Sequence, residues 1–180
     1  MSALRGIARL ARFRVDGFAE FVGTSQAVLN SLAPLVAFPL AGGLLQAGQG
    51  EWQSALSDLL ATIVALLTPL VVTEFLARRW GREALWLRFA VASNWCQWAI
   101  PMALMAIVLV LWMGAQLGMH PSKAVVGGCL IGLIGYGIAL HYFLARVGLQ
   151  LPRGRAVVMV LAADLLTGLL VVGPRLFMEG

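Results

Sequence analysis

Residues Leu85 to Gly114 read LWLRFAVASNWCQWAIPMALMAIVLVLWMG, a run of 30 residues with one charge, Arg88. A helix rises about 1.5 Å per residue, and a hydrocarbon core of roughly 30 Å takes about 20 apolar residues to cross. The run is therefore long enough to span a bilayer. Four further stretches qualify, at about 27–48, 56–77, 124–145 and 157–177. The links between them are short and polar, so neighbouring spans run antiparallel. The sequence predicts an all-α, polytopic transmembrane helical bundle of about five spans over 27–180, preceded by a basic segment, 1–26.

Composition points the same way. Hydrophobic residues make up 61% of the chain and charged residues 12%, against roughly 45–50% and about 25% in soluble domains. Mean hydropathy is +0.89. A soluble fold of this size would leave large apolar patches in water, whereas a bilayer acts as their solvent.

The basic residues set a direction. Arg5, Arg9, Arg12 and Arg14 precede the first span; Arg78, Arg79, Arg82 and Arg88 surround the second link; Arg146, Arg153 and Arg155 surround the fourth. Alternating crossings bring these to one side and leave Lys123 and Arg175 on the other. Because Lys and Arg favour the cytoplasmic side, the N-terminus is expected inside and the C-terminus outside. Trp80 and Trp86 fall near the inner links and Trp52 and Trp112 near the outer ones, at headgroup level. Trp95 and Trp98 lie deeper. The sequence pI of about 10.2 is accounted for by this topology, and no nucleic-acid motif accompanies it.

Within the third stretch, Pro101 lacks an N–H and crowds the carbonyl of Gln97, so a kink is expected there. The alternative is an interfacial helix before Pro101 and a span after it. Ahead of the first span, Leu4, Ala8, Ala11, Val15 and Phe18 share a helical face, with Arg5, Arg9, Arg12 and Asp16 on the neighbouring one. Three readings stay open: a helix lying on an anionic leaflet, a frayed basic tail, or an organelle-targeting sequence. An ordinary signal peptide does not fit, because the charged region is too long.

Ionisable and amide groups inside a span face the bundle interior and often carry function. Glu74, Asn94, His141 and Asp164 are the candidates. At the helical rise they lie roughly 6, 9, 7.5 and 13.5 Å from Arg78, Arg88, Arg146 and Arg155 respectively, all in the cytoplasmic half. His141 and Asp164 belong to neighbouring spans and can meet. The functional reading is a polar pocket for an ion, a proton or a lipid headgroup. The structural reading is interhelical hydrogen bonding, with Glu74 paired to Arg78 at i, i+4. Gly128 and Gly132 form a GxxxG, which suits close helix packing inside the bundle and, by the same physics, a dimer face.

Cys96 and Cys129 show no ligand spacing and read as small buried apolar residues. His120 with Pro121 reads as turn material. No metal or cofactor is expected, and no HExxH, GxSxG or P-loop is present. Inverted repeats of the transporter kind are not evident.

The span count, short loops and inner N-terminus, with Ala92-Ser93-Asn94-Trp95, Ala139-Leu140-His141-Tyr142-Phe143 followed by Arg146, and Ala163-Asp164-Leu165-Leu166, resemble the Yip family of five-helix membrane proteins over roughly Phe18 to Phe177. Eukaryotic relatives associate with small GTPases and shape secretory membranes. Their long acidic cytosolic N-terminal region has no counterpart here, and no catalytic residue comes with the resemblance. The family has many bacterial members, so the resemblance implies a bacterial cytoplasmic (inner) membrane, and the expected function is non-enzymatic organisation of lipids or partner membrane proteins. The rivals are a small transporter or channel and a non-catalytic subunit of a membrane complex. The expected partners are the lipid bilayer, other membrane proteins and a second copy of the chain.

Overall fold

The computed structural model describes residues 3–119 and 122–178, with side chains up to 173. His120 and Pro121, read as turn material, lie outside the described residues. The order is α1 (Ala3–Leu10), a 3-10 turn (Val15–Glu20), α2 (Ser25–Gly48), α3 (Trp52–Arg79), α4 (Glu83–Cys96), α5 (Ala99–Gln116), α6 (Lys123–Gly148) and α7 (Arg153–Met178). This is an all-α bundle. Five helical stretches, with α4 and α5 counted together, are long and apolar enough to cross a membrane, which fits an integral membrane protein. Thr24 and Ser122 cap α2 and α6, accepting from Ala27 N–H at 3.2 Å and Val125 N–H at 3.3 Å.

α4 is the hub, packing against α2, α3 and α6. Its Phe89, Ala90, Val91, Ala92, Asn94 and Cys96 are buried. Around it gather Ala77, Leu140, Leu144, Ala145, Leu149, Ala156 and Met159. All of these lie in the half of the bundle that carries the arginine-rich links. In the other half Leu44, Met105, Val110, Ile131, Ile134 and Leu169 are exposed. The helices close around a core at the Arg-rich end and present apolar side chains outward beyond it. Such a surface fits a lipid surrounding.

The third stretch is interrupted at Gln97 and Trp98. Trp98 N–H reaches Trp95 O at 3.3 Å, a tight i−3 bond, and the α pattern resumes with Met102 N–H on Trp98 O at 3.1 Å. Pro101 removes the donor that Gln97 O would otherwise accept, so the break falls where that carbonyl is freed. α4 packs against α2, α3 and α6, and Glu83–Gln116 together are long and apolar enough to cross a membrane once. Trp98 packs edge-on against Phe38 of α2, with ring centroids 5.2 Å apart, which accounts for its depth.

The basic segment is not one continuous amphipathic helix. α1 stops at Leu10, the chain turns at Phe13 with φ 58, and the 3-10 turn folds back along α1. Arg9 clasps the pair, reaching Asp16 at 3.5 Å and Glu20 at 3.3 Å. The buried face is Gly6, Ile7, Leu10, Gly17 and Phe18, whereas Leu4 and Val15, expected on it, are exposed. Phe18 rests on Gly148, where a Cβ would sit 2.8 Å from its ring. The hairpin thus caps the Arg-rich end of the core.

Candidate functional site

Helical periodicity builds a mostly apolar cavity, carrying a few polar groups, at the level where the bundle closes. Residues four apart share a face: Pro69 and Thr73 on α3; Phe89, Ser93 and Gln97 on α4 and the break; His141 and Ala145 on α6; Met159 and Ala163 on α7, with Asp164 adjacent. These faces converge on a cavity of about 60 Å³. One water needs about 10–15 Å³ on this measure, so the space suits a few waters or a small ion and excludes any larger metabolite.

His141 and Asp164 meet across it. Nδ1 of His141 lies 3.7 Å from Oδ1 of Asp164, with side chains 38% and 45% exposed. That separation is an ion pair when the imidazole is protonated, and is too long for a direct hydrogen bond. A bridging water is the usual solution at such a distance. Thr73 Oγ1 donates to Leu70 O at 3.1 Å and accepts from Trp86 Nε1 at 3.3 Å, so its hydroxyl is already committed.

The other sequence candidates go elsewhere. Asn94 faces α2, and its amide donates to Ser31 Oγ at 2.9 Å. Glu74 pairs with Arg78 on its own helix and borders a separate groove with Ser25, Glu83 and Trp86. Among the described residues, a Cβ at Gly128 or Gly132 would meet no atom within 4 Å. α5 meets α6 at Gly137, where a Cβ would be 3.1 Å from Ile100.

Thr73, Ser93 and Gln97 are the cavity residues that sequence reasoning missed. Their signal was the i, i+4 spacing of Ser93 with Gln97 and of Pro69 with Thr73. Among the described residues no group of three His, Cys, Asp or Glu side chains could hold a metal ion. No known protein family, curated protein or solved structure matches this chain.

Proposed function

We propose that this is a non-enzymatic protein of a bacterial cytoplasmic membrane, with its Arg-rich end in the cytoplasm, that organises anionic lipids or neighbouring membrane proteins. One observation carries the reading. Arg5, Arg12, Arg79, Arg82, Arg88, Arg146 and Arg153 gather at one end of the bundle, and none forms an ion pair among the described residues. Arg155 lies over the Trp80 ring at 5.7 Å. Unpaired guanidinium groups at headgroup depth attract anionic lipid by about 1 kcal/mol each. The five-span layout that resembles the Yip family supports the same class of role.

Extraction in mild detergent, followed by mass spectrometry of what co-purifies, tests it. Anionic phospholipid should be enriched over its share of the membrane. A lipid complement equal to the bulk would overturn the reading. A protein partner in fixed ratio would turn it toward a subunit of a larger complex.

The His141–Asp164 cavity favours a second reading, a small transporter or channel. Its difficulty is the apolar half beyond: Ala99 to Met113 offers no polar side chain other than the Trp112 indole. On this reading, reconstituted vesicles leak protons or ions, and Asp164→Asn abolishes the leak.

A further inference from the structure

Three helices end on a left-handed glycine: Gly50 after α2, Gly81 after α3 and Gly118 after α5. Glycine is the usual residue there because a Cβ is disfavoured in that conformation. α1 and α6 end with the same backbone pattern and a different residue. Arg14 N–H bonds to Arg9 O at 3.0 Å around Phe13, and Leu151 N–H bonds to Arg146 O at 2.9 Å around Gln150. Phe13 and Gln150, with φ 58 and 51, are the two non-glycine residues of positive φ among the described residues. Both line one groove.

That groove, of about 590 Å³, lies on the flank of α6 at the Arg-rich end and is also bounded by Tyr142, Phe143 and Arg146. The loop carrying Phe13 is fixed to α6. Its ring meets Tyr136 and Phe143 edge-on at 5.9 and 5.5 Å, and Tyr136 donates its hydroxyl to Ala11 O at 2.8 Å. Among the described residues no carboxylate lines the groove. Its polar groups are the Arg146 guanidinium, the Tyr142 hydroxyl and the Gln150 amide, all able to donate to a phosphate.

A second groove, of about 410 Å³, shares Ala139 and Tyr142 with the first and runs on between α6 and α7 past Ile138, Val157 and Leu161 to Gly135. From Arg146 to Gly135 along α6 is about 16 Å. The two grooves adjoin at Ala139 and Tyr142, and together they make a depression with a cationic, hydrogen-bonding part at the Arg-rich end and an apolar length along α6. The charge and the shape are complementary to an anionic amphiphile.

We infer that this depression binds one anionic phospholipid, its phosphate at Arg146 and one acyl chain in the α6–α7 trough beside Gly135. The inference rests on the lipid-organising reading and gives it a site. It also accounts for Phe13 and Gln150, whose side chains form walls that glycine would leave open.

The test uses the full chain reconstituted with equal parts phosphatidylglycerol and phosphatidylcholine, re-extracted in mild detergent and weighed by native mass spectrometry. Wild type should retain one phosphatidylglycerol per chain. Arg146→Gln should lower that retention about fivefold, the weight of one headgroup-facing arginine. Gly135→Leu should lower it as well, by filling the trough; a Cβ there meets no atom of the described residues within 4 Å, so the fold should be kept. Gly127→Leu, equally open but outside the depression, should retain lipid as wild type does. Wild-type retention unchanged by both Arg146→Gln and Gly135→Leu overturns the site while the lipid-organising reading stands. Absence of preferential phosphatidylglycerol retention by wild type overturns both. A lipid-free dimer whose contact is lost in Gly135→Leu overturns the site in favour of a second copy of the chain.

Discussion

Asn94 of α4 donates its side-chain amide to Ser31 Oγ of α2 across 2.9 Å, both residues almost wholly out of reach of solvent. Ser31 passes the bond on, donating its own hydroxyl to Val28 O at 2.7 Å. The link ties the first span to the hub helix in a region otherwise held by apolar contact.

The pair should be measurably coupled. Interhelical hydrogen bonds in membrane proteins average about 0.6 kcal/mol and reach about 1.7. Ser31→Ala removes the acceptor of Asn94, whose Oδ1 already has no partner among the described residues. It should therefore cost about 1 kcal/mol. A double-mutant cycle with Asn94→Ala, read by denaturant unfolding in detergent, should give a coupling of about 0.5 kcal/mol or more. Strict additivity would mean that the bond does not form.

Gly148 decides whether the N-terminal hairpin seats. A Cβ there would lie 2.8 Å from the Phe18 ring and 3.1 Å from Phe89 Cδ2. Gly148→Val should displace Phe18 at about 1–3 kcal/mol and release the hairpin. Trypsin should then cut at Arg9, Arg12 and Arg14 faster than in wild type. Gly154→Ala, with no neighbouring atom within 4 Å, should leave the rate unchanged. Equal rates in all three proteins would show that Phe18 does not anchor the segment.

His141 and Asp164 were legible in the sequence because a short link makes α6 and α7 antiparallel, and both residues lie in the Arg-rich half. Asn94 shares that half but not the cavity. One step along a helix turns about 100°, so Ser93 faces His141 while Asn94 faces Ser31. Depth can be read from one sequence; facing depends on which helices surround α4, and no pattern within α4 says so. The five spans were legible for a simpler reason, since length and hydropathy act helix by helix. The hairpin was not: a regular 3.6 periodicity through Val15 concealed the turn at Phe13, a residue type that rarely adopts positive φ.

The ion pair of the cavity should matter little for stability. Its side chains are more than a third exposed, and exposed pairs contribute about 0–1 kcal/mol. Asp164→Asn should lower unfolding stability in detergent by no more than about 1 kcal/mol. A loss several times larger would mean that Asp164 bonds to groups other than His141.

The orientation can be tested through parity. If α4 and α5 together make one crossing, as their joint length and hydropathy allow, the parity of the links is fixed. Reporter fusions after Gln49, Arg79, Gly118 and Arg153 should then read outside, inside, outside and inside. The clustered arginines bias each inner link in the same sense, so the four sites are four independent checks on one assignment. If α4 instead turned back at Gln97, the Gly118 site would read inside while Arg79 stayed inside. If the arginine bias ran the other way, all four readings would invert together. These two failures leave different patterns, so the fusions separate an error in the path of the chain from an error in its direction.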